Sequence, residues 1–224
     1  MIGTSASILL VLTLLIAPEC FAVQNRLEYE LGHGDPLSSV QANGSSDRAG
    51  SQGTVWSADI LHFMGNQFYL GLGGGQFRSG DNVSQTFVPN ANSTLSSTSS
   101  SILILSRQDV SVNQRFVTYL VAGIGWVKNT LTITAVPVTN WADTGTSEQR
   151  TLWDHSRDSI AFAAGAGLDW NLTSSLYAGA EVRYQNALSR NFPTTPVGQA
   201  TTGQTSTSTS MNNLFYALKI GVTY

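Results

Sequence analysis

The sequence predicts an all-β protein, an eight-stranded antiparallel up-and-down transmembrane β-barrel. Three observations carry that expectation. After residue 22, apolar and polar residues alternate with a period of two rather than 3.6. Short and long connections alternate between the candidate strands. Finally, one apolar run stands at the very start of the chain, and it is too short to cross a bilayer as a helix.

That run, Ile8 to Ala17, would rise about 15 Å as a helix, half of a hydrocarbon core. Pro18 and the triplet Cys20-Phe-Ala22 follow it, a small-x-small cleavage pattern. Residues 1–22 therefore read as a secretory signal peptide, although residues before the run carry no Lys or Arg. Residues 23–224 then form the barrel domain. A lipoprotein reading through Cys20 fits less well, because Glu19 stands where such sites want a small residue. Cleavage would remove the only cysteine and with it any disulfide. With 11% charged residues, 21 glycines and a mean hydropathy near zero, the chain matches neither a compositionally disordered protein nor a helical membrane protein. It has no basic block, so a nucleic-acid partner is not expected.

Eight strands are expected, at about 25–34, 54–64, 67–77, 100–110, 115–128, 157–171, 175–188 and 211–224. In the first, Leu27, Tyr29 and Leu31 oppose Glu28 and Glu30. In the second, Trp56, Ala58 and Ile60 alternate with Ser57 and Asp59. In the third, Phe68, Leu70 and Leu72 alternate with Tyr69, Gly71 and Gly73. The fourth and fifth are apolar on both faces, so parity does not orient them. The sixth sets Ile160, Phe162, Ala164, Ala166, Leu168 and Trp170 against small residues and Asp169. In the seventh, Leu176, Ala178, Ala180, Val182 and Tyr184 oppose Glu181 and Arg183. In the eighth, Leu214, Tyr216, Leu218, Ile220, Val222 and Tyr224 oppose Lys219 and Gly221.

Gly65-Asn66, Ser111 to Gln114 and Leu172 to Ser174 are short enough to close hairpins. The other connections, about 35–53, 78–99, 129–156 and 189–210, are long, polar and rich in Ser, Thr, Asn and Gly. Short turns on one side and long loops on the other are the habit of outer-membrane barrels.

Period two alone does not say whether the apolar face points in or out, and a secreted soluble sandwich or barrel would alternate likewise. Charge and aromatic placement favour an apolar exterior. Glu28, Glu30, Asp169, Glu181, Arg183 and Lys219 fall on the opposite face, few and of both signs, as a lumen plugged by ion pairs requires. Trp56, Phe68, Trp170 and Tyr184 fall near strand ends on the apolar face, where rings sit at the headgroup level.

The terminal segment Leu214-Phe-Tyr-Ala-Leu-Lys-Ile-Gly-Val-Thr-Tyr224 resembles the last strand of small Gram-negative outer-membrane barrels of the OmpA-like and opacity type. The segments Tyr119 to Trp126, Ala163 to Trp170 and Ala178 to Tyr184 share the likeness. The resemblance implies a bacterial outer-membrane location, contact with outer-membrane lipid, and Tyr216 and Tyr224 as the signal for the barrel assembly machinery. It implies no single activity, since such barrels include anchors, adhesins and lipid-modifying enzymes. Unlike OmpA itself, this sequence shows no periplasmic peptidoglycan-binding domain after the last strand, so wall anchoring is not expected.

The chemistry-bearing residues give no catalytic or metal pattern. Asp154-His155-Ser156 offers an acid, a base and a hydroxyl, but neighbours on a strand face opposite ways. His33 and His62 read as rim and interface residues. No HExxH motif, Cys pair or EF-hand loop is present, and no cofactor is expected. Gly71-Leu-Gly-Gly-Gly75 lacks the following helix of a phosphate loop and reads as relief of crowding in a narrow lumen. The sequence thus points to a non-enzymatic surface protein whose loops meet host or envelope partners. A small channel and a lipid A-modifying enzyme are the alternatives.

Overall fold

The structure is a computed structural model that describes residues 25–42, 45–88, 90–112 and 115–224. The expected signal peptide lies outside the described residues. So do residues 113–114 of the turn expected at Ser111 to Gln114.

Eight long strands close a ring. In chain order they are β1 (Arg26–Pro36), β4 (Ser51–Gly65), β5 (Phe68–Gly80), β7 (Ala91–Val112), β8 (Phe116–Pro137), β9 (Arg150–Asn171), β10 (Leu176–Ala187) and β13 (Asn212–Thr223). Each pairs antiparallel with its neighbour, β5 pairs with β7, and β1 meets β13 from Arg26↔Thr223 to Pro36↔Asn213. Backbone hydrogen bonds between Asn25 and Tyr224 seal the seam at its lower end. Among the described residues, closure pairs both edges of every ring strand over the apolar band, the condition a sheet must meet in lipid.

The turn between β4 and β5 shows the local logic. Asn66 and Gln67 both have positive φ, 50° and 61°, the geometry of a tight hairpin whose twist matches its strands. Gly65, at φ 104°, leads into it without a Cβ penalty. The turn's central pair is thus Asn66-Gln67, within the stretch expected around Gly65-Asn66.

Apolar residues face outward, as the charge and aromatic placement on the clear strands led one to expect. On β9 the outward set runs from Ile160 to Trp170, about 33 Å of strand, or about 25 Å of height at the usual tilt. The two strands that parity left open are now oriented. Ile102 and Ile104 of β7 face out, while Leu103 and Leu105 face in. On β8, Leu120, Ile124 and Trp126 face out, while Val117, Tyr119 and Val121 face in.

The long connections are less loop-like than expected. β7, β8 and β9 each run 22 residues, so most of 78–99 and much of 129–156 are strand rather than loop. Serine and threonine runs there read as loop because they lack apolar alternation. Their hydroxyl faces are compatible with strand once neighbours supply the hydrogen bonds. β6 (Asn82–Val88) adds to the upper end of β7. Within 35–53 lies the hairpin β2 (Ser39–Ala42)–β3 (Ser45–Arg48). Within 189–210 lie β11 (Arg190–Pro193), the short helix α1 (Pro196–Thr202) and β12 (Ser206–Thr209). Thr195 caps α1 by accepting from the Gly198 amide, and Gly203 ends it at φ 71°.

These pieces form a cap over the loop end of the ring. Val40, Phe87, Leu95, Leu131, Ile133 and Trp153 are fully buried in it, and Phe87 meets Trp153 edge to face at 5.9 Å. Thr207 and Thr209 of β12 donate to the Gln41 and Ser39 carbonyls of β2, which ties two of the connections together.

Candidate functional site: a charged lumen beneath an apolar cap

Inward positions of the strands bring carboxylates and cations from opposite walls into contact. Arg107 of β7 is the hub. Its guanidinium reaches Glu28 at 2.6 Å, Asp169 at 2.6 Å and Asp109 at 2.8 Å, and it lies 3.7 Å over the Tyr119 ring. Lys219 of β13 pairs with Glu28 and Asp169, each at 3.0 Å. Arg26 adds 3.1 Å contacts to Asp109 and Asp169 and lies over Tyr69 and Tyr177. In this tier three acids meet three cations.

A second tier is centred on Arg183 of β10. It pairs with Glu181 at 2.5 Å, Asp59 at 2.8 Å and Glu30 at 3.3 Å. Ser57 donates to Glu30 at 2.7 Å and Tyr119 to Glu181 at 2.8 Å. Tyr119 therefore joins the tiers, with its ring on Arg107 and its hydroxyl on Glu181. Here three acids share one cation, and Asp59 Oδ1 has no hydrogen-bond partner.

Glycine makes room for the rings. A Cβ at Gly167 would strike Tyr119, and one at Gly221 would strike Tyr177. Larger residues at either position would push the phenols off their carboxylates.

Above Arg183 a void of about 30 Å³ remains, room for about one water, lined by Glu30, Ser57, Gly73, Glu181 and Arg183 among others. Oxygens of Glu28, Glu30 and Asp59 lie within 4.8 Å of one another, close enough to hold a cation. Glu28 is already matched by Arg107 and Lys219, and the other two share Arg183, so the arrangement serves ion pairing.

Sequence searches relate this chain to nothing: no protein-family model matches it, and no curated protein does. Solved structures do. The outer membrane protein OprG from Pseudomonas aeruginosa matches at TM-score 0.54 and 14% identity, over 91% of this chain and 96% of that one. Neisserial surface protein A matches at TM-score 0.50 and 10% identity, over 89% and 97%. The chain has the fold of an outer-membrane β-barrel. At these identities the likeness is one of fold, and it does not extend to what either protein does.

Within this outer-membrane barrel, Glu28, Glu30, Asp169, Glu181, Arg183 and Lys219 all point inward and are buried together. Sequence reasoning missed their partners Arg26, Arg107 and Asp109. Arg107 and Asp109 share parity with Leu103 and Leu105, a signal that would have oriented β7. Asp59 was assigned to the polar face but not to the network.

Trp56, Trp170, Tyr184, Tyr216 and Tyr224 are exposed on the outer wall, Phe68 half so, and Trp170 stacks with Phe116. Trp126, 69% exposed, is an outer-wall aromatic the sequence reading did not place.

The histidines are not brought together. His33 Nδ1 lies 3.3 Å from the Gly53 carbonyl at the rim. His62 Nδ1 lies 2.6 Å from the Asn25 side chain near the turn end. His155 sits on β9 opposite Leu131, and the Ser156 hydroxyl bonds instead to that of Thr130 at 2.7 Å.

Proposed function

We propose that this protein is a non-conducting, non-enzymatic surface barrel of a Gram-negative outer membrane. In this reading the loop end faces outward, and the cap meets host or envelope partners. One observation carries the reading: ion pairs between opposite walls cross the lumen, and the void lined by Arg183 measures about 30 Å³. A conducting lumen needs a continuous wet path, and an eight-stranded barrel is just wide enough for its side chains to fill. The cap lays an apolar core over the outer mouth, and scaffolded surface segments of this kind are where binding resides.

Planar-bilayer recording of the refolded protein is expected to show no conductance steps, and a steady single-channel current would overturn the proposal. On intact cells, proteinase K is expected to cut first in the irregular stretch 138–149 between β8 and β9. Protection of that stretch, with cleavage at the turns instead, would reverse the orientation.

A further inference from the structure

The outer wall carries a polar site just above its apolar band. On β8 the band ends at Trp126, whose cross-strand neighbours are Ile102 and Ile160. One pair further up stand Ser100 and Lys128, and across β7 from Lys128 stand Gln76 and Arg78 of β5, opposite Ser100 and Thr98. Arg78 and Lys128 thus flank β7 on the outer face, two strands apart, with Lys128 one pair and Arg78 two pairs above the level of the exposed Trp126 indole. Both are exposed, and neither makes an ion pair or hydrogen bond among the described residues.

Between them is a rail of hydroxyls. Ser96, Thr98 and Ser100 of β7 lie beside Thr130 and Thr132 of β8, and Gln76 donates to Ser100 at 3.2 Å. Arg78, Ser96, Thr98 and Thr132 line an open cleft of about 580 Å³. Three acids stand near, Asp81 on the cleft, Asp158 opposite Lys128 and Asp154 opposite Thr132, and among the described residues none pairs with a cation of the site. Other arginines of the loop end are engaged differently, save Arg48 on β3, which is exposed and likewise makes no ion pair among the described residues. Arg150 pairs with Asp143, while Arg157 and Arg190 donate to the Asn191 and Asp158 carbonyls.

We propose that Arg78, Lys128 and the hydroxyls between them bind the phosphate of a phosphorylated glycolipid headgroup in the outer leaflet. The inference rests on the outward orientation of the loop end proposed above. An aromatic residue marks the depth at which acyl chains give way to headgroups. Cations one and two pairs above it lie where an anionic headgroup concentrates, about a Debye length from the surface. Arginine supplies a planar fork for phosphate, lysine a point charge, and serine and threonine hydroxyls donate to the remaining oxygens. The lipid's acyl chains would run down the wall past Ile102, Trp126 and Ile160, so headgroup and tail contacts are continuous.

The test uses the full chain refolded in detergent micelles and native mass spectrometry of bound lipid. Three probes are titrated: diphosphoryl lipid A, its dephosphorylated analogue, and inorganic phosphate. Wild type is expected to retain diphosphoryl lipid A and to lose the dephosphorylated form. The double variant Arg78→Gln/Lys128→Gln is expected to bind diphosphoryl lipid A about thirtyfold more weakly, at two surface cations removed. Arg48→Gln, an exposed cation elsewhere on the cap, should bind as wild type does. Equal retention by wild type and double variant would overturn the site. Competition by inorganic phosphate at matching concentration would also overturn it, by making the ligand a free anion. Gel mobility and bilayer silence are read on the same samples. If they hold while lipid discrimination fails, the failure belongs to the site and not to the plugged barrel.

Discussion

Inside the membrane the lumen is filled by carboxylates and cations held at 2.5 to 3.3 Å, whereas above it the same strands close over Phe87, Leu131, Ile133 and Trp153. The first closure is long-range. Lys219 reaches Glu28 across 191 residues of chain, so the network forms only when the ring does. The second is built by connections that fold on one another, hairpin against hairpin. The chemistry also fails differently. An apolar core that loses a side chain keeps a cavity, and the cost scales with the volume lost. A buried ion network that loses one partner keeps an uncompensated charge, and the cost is desolvation already spent.

Arg107→Met is therefore expected to be strongly destabilising. It leaves Glu28, Asp109 and Asp169 buried with only Lys219 and Arg26 against them. The expected loss is about 3–5 kcal/mol of barrel stability. Urea titration of the refolded protein, followed by the gel shift between folded and heated forms, measures it directly. A loss below about 1 kcal/mol would mean that the plug is tolerated rather than relied on.

Trp153→Ala should cost about 3 kcal/mol, but in the cap rather than the ring. Its indole is fully buried against Phe87, and Leu152 beside it supports α1. The expected result is faster proteolysis of 190–209 with an unchanged barrel unfolding midpoint. If the midpoint falls with the cap, the two regions are one cooperative unit and the contrast drawn above is false.

The same contrast explains what could be read from the sequence. Strands whose outward face meets lipid announce themselves, because Ile160 to Trp170 or Leu214 to Tyr224 cannot place charge on that face. Parity then delivers Glu28, Asp169, Glu181, Arg183 and Lys219 to the lumen without any structure. Which walls they bridge depends on register around a closed ring, and no local pattern encodes it. Arg26 escaped because it begins the first strand. Arg107 escaped because Leu103 and Leu105 share its face, and one wall of the lumen is apolar. The cap was illegible for a different reason. Its strands are serine and threonine runs such as Ser93 to Ser101, outside the lipid zone, where neither face need be apolar. The apolar residues that make its core, Val40, Phe87, Leu152 and Phe192, stand singly or in pairs within polar segments.

The gentlest test probes the least buried part of that cap. Arg150 lies 4.3 Å over the Trp141 ring and donates a 2.8 Å hydrogen bond to Asp143, which stands in the irregular stretch between β8 and β9. That hydrogen bond is the main reason the Asp143 carboxyl titrates below its ordinary value of 3.8. A group depressed on folding stabilises above its unfolded pKa and loses that contribution as the pH falls through the folded one. The contact should thus be complete above about pH 4 and released below it. Trp141 fluorescence is expected to change over that interval, because Arg150 is freed from the carboxylate that orients it. Asp143→Asn should hold one value from pH 5 to 3, with no change in the barrel's gel shift. An identical acid transition in Asp143→Asn would move the cause elsewhere in the cap. It would leave Arg150 held by the Trp141 ring and by the Thr144 and Thr201 hydroxyls, contacts that carry no titrating charge.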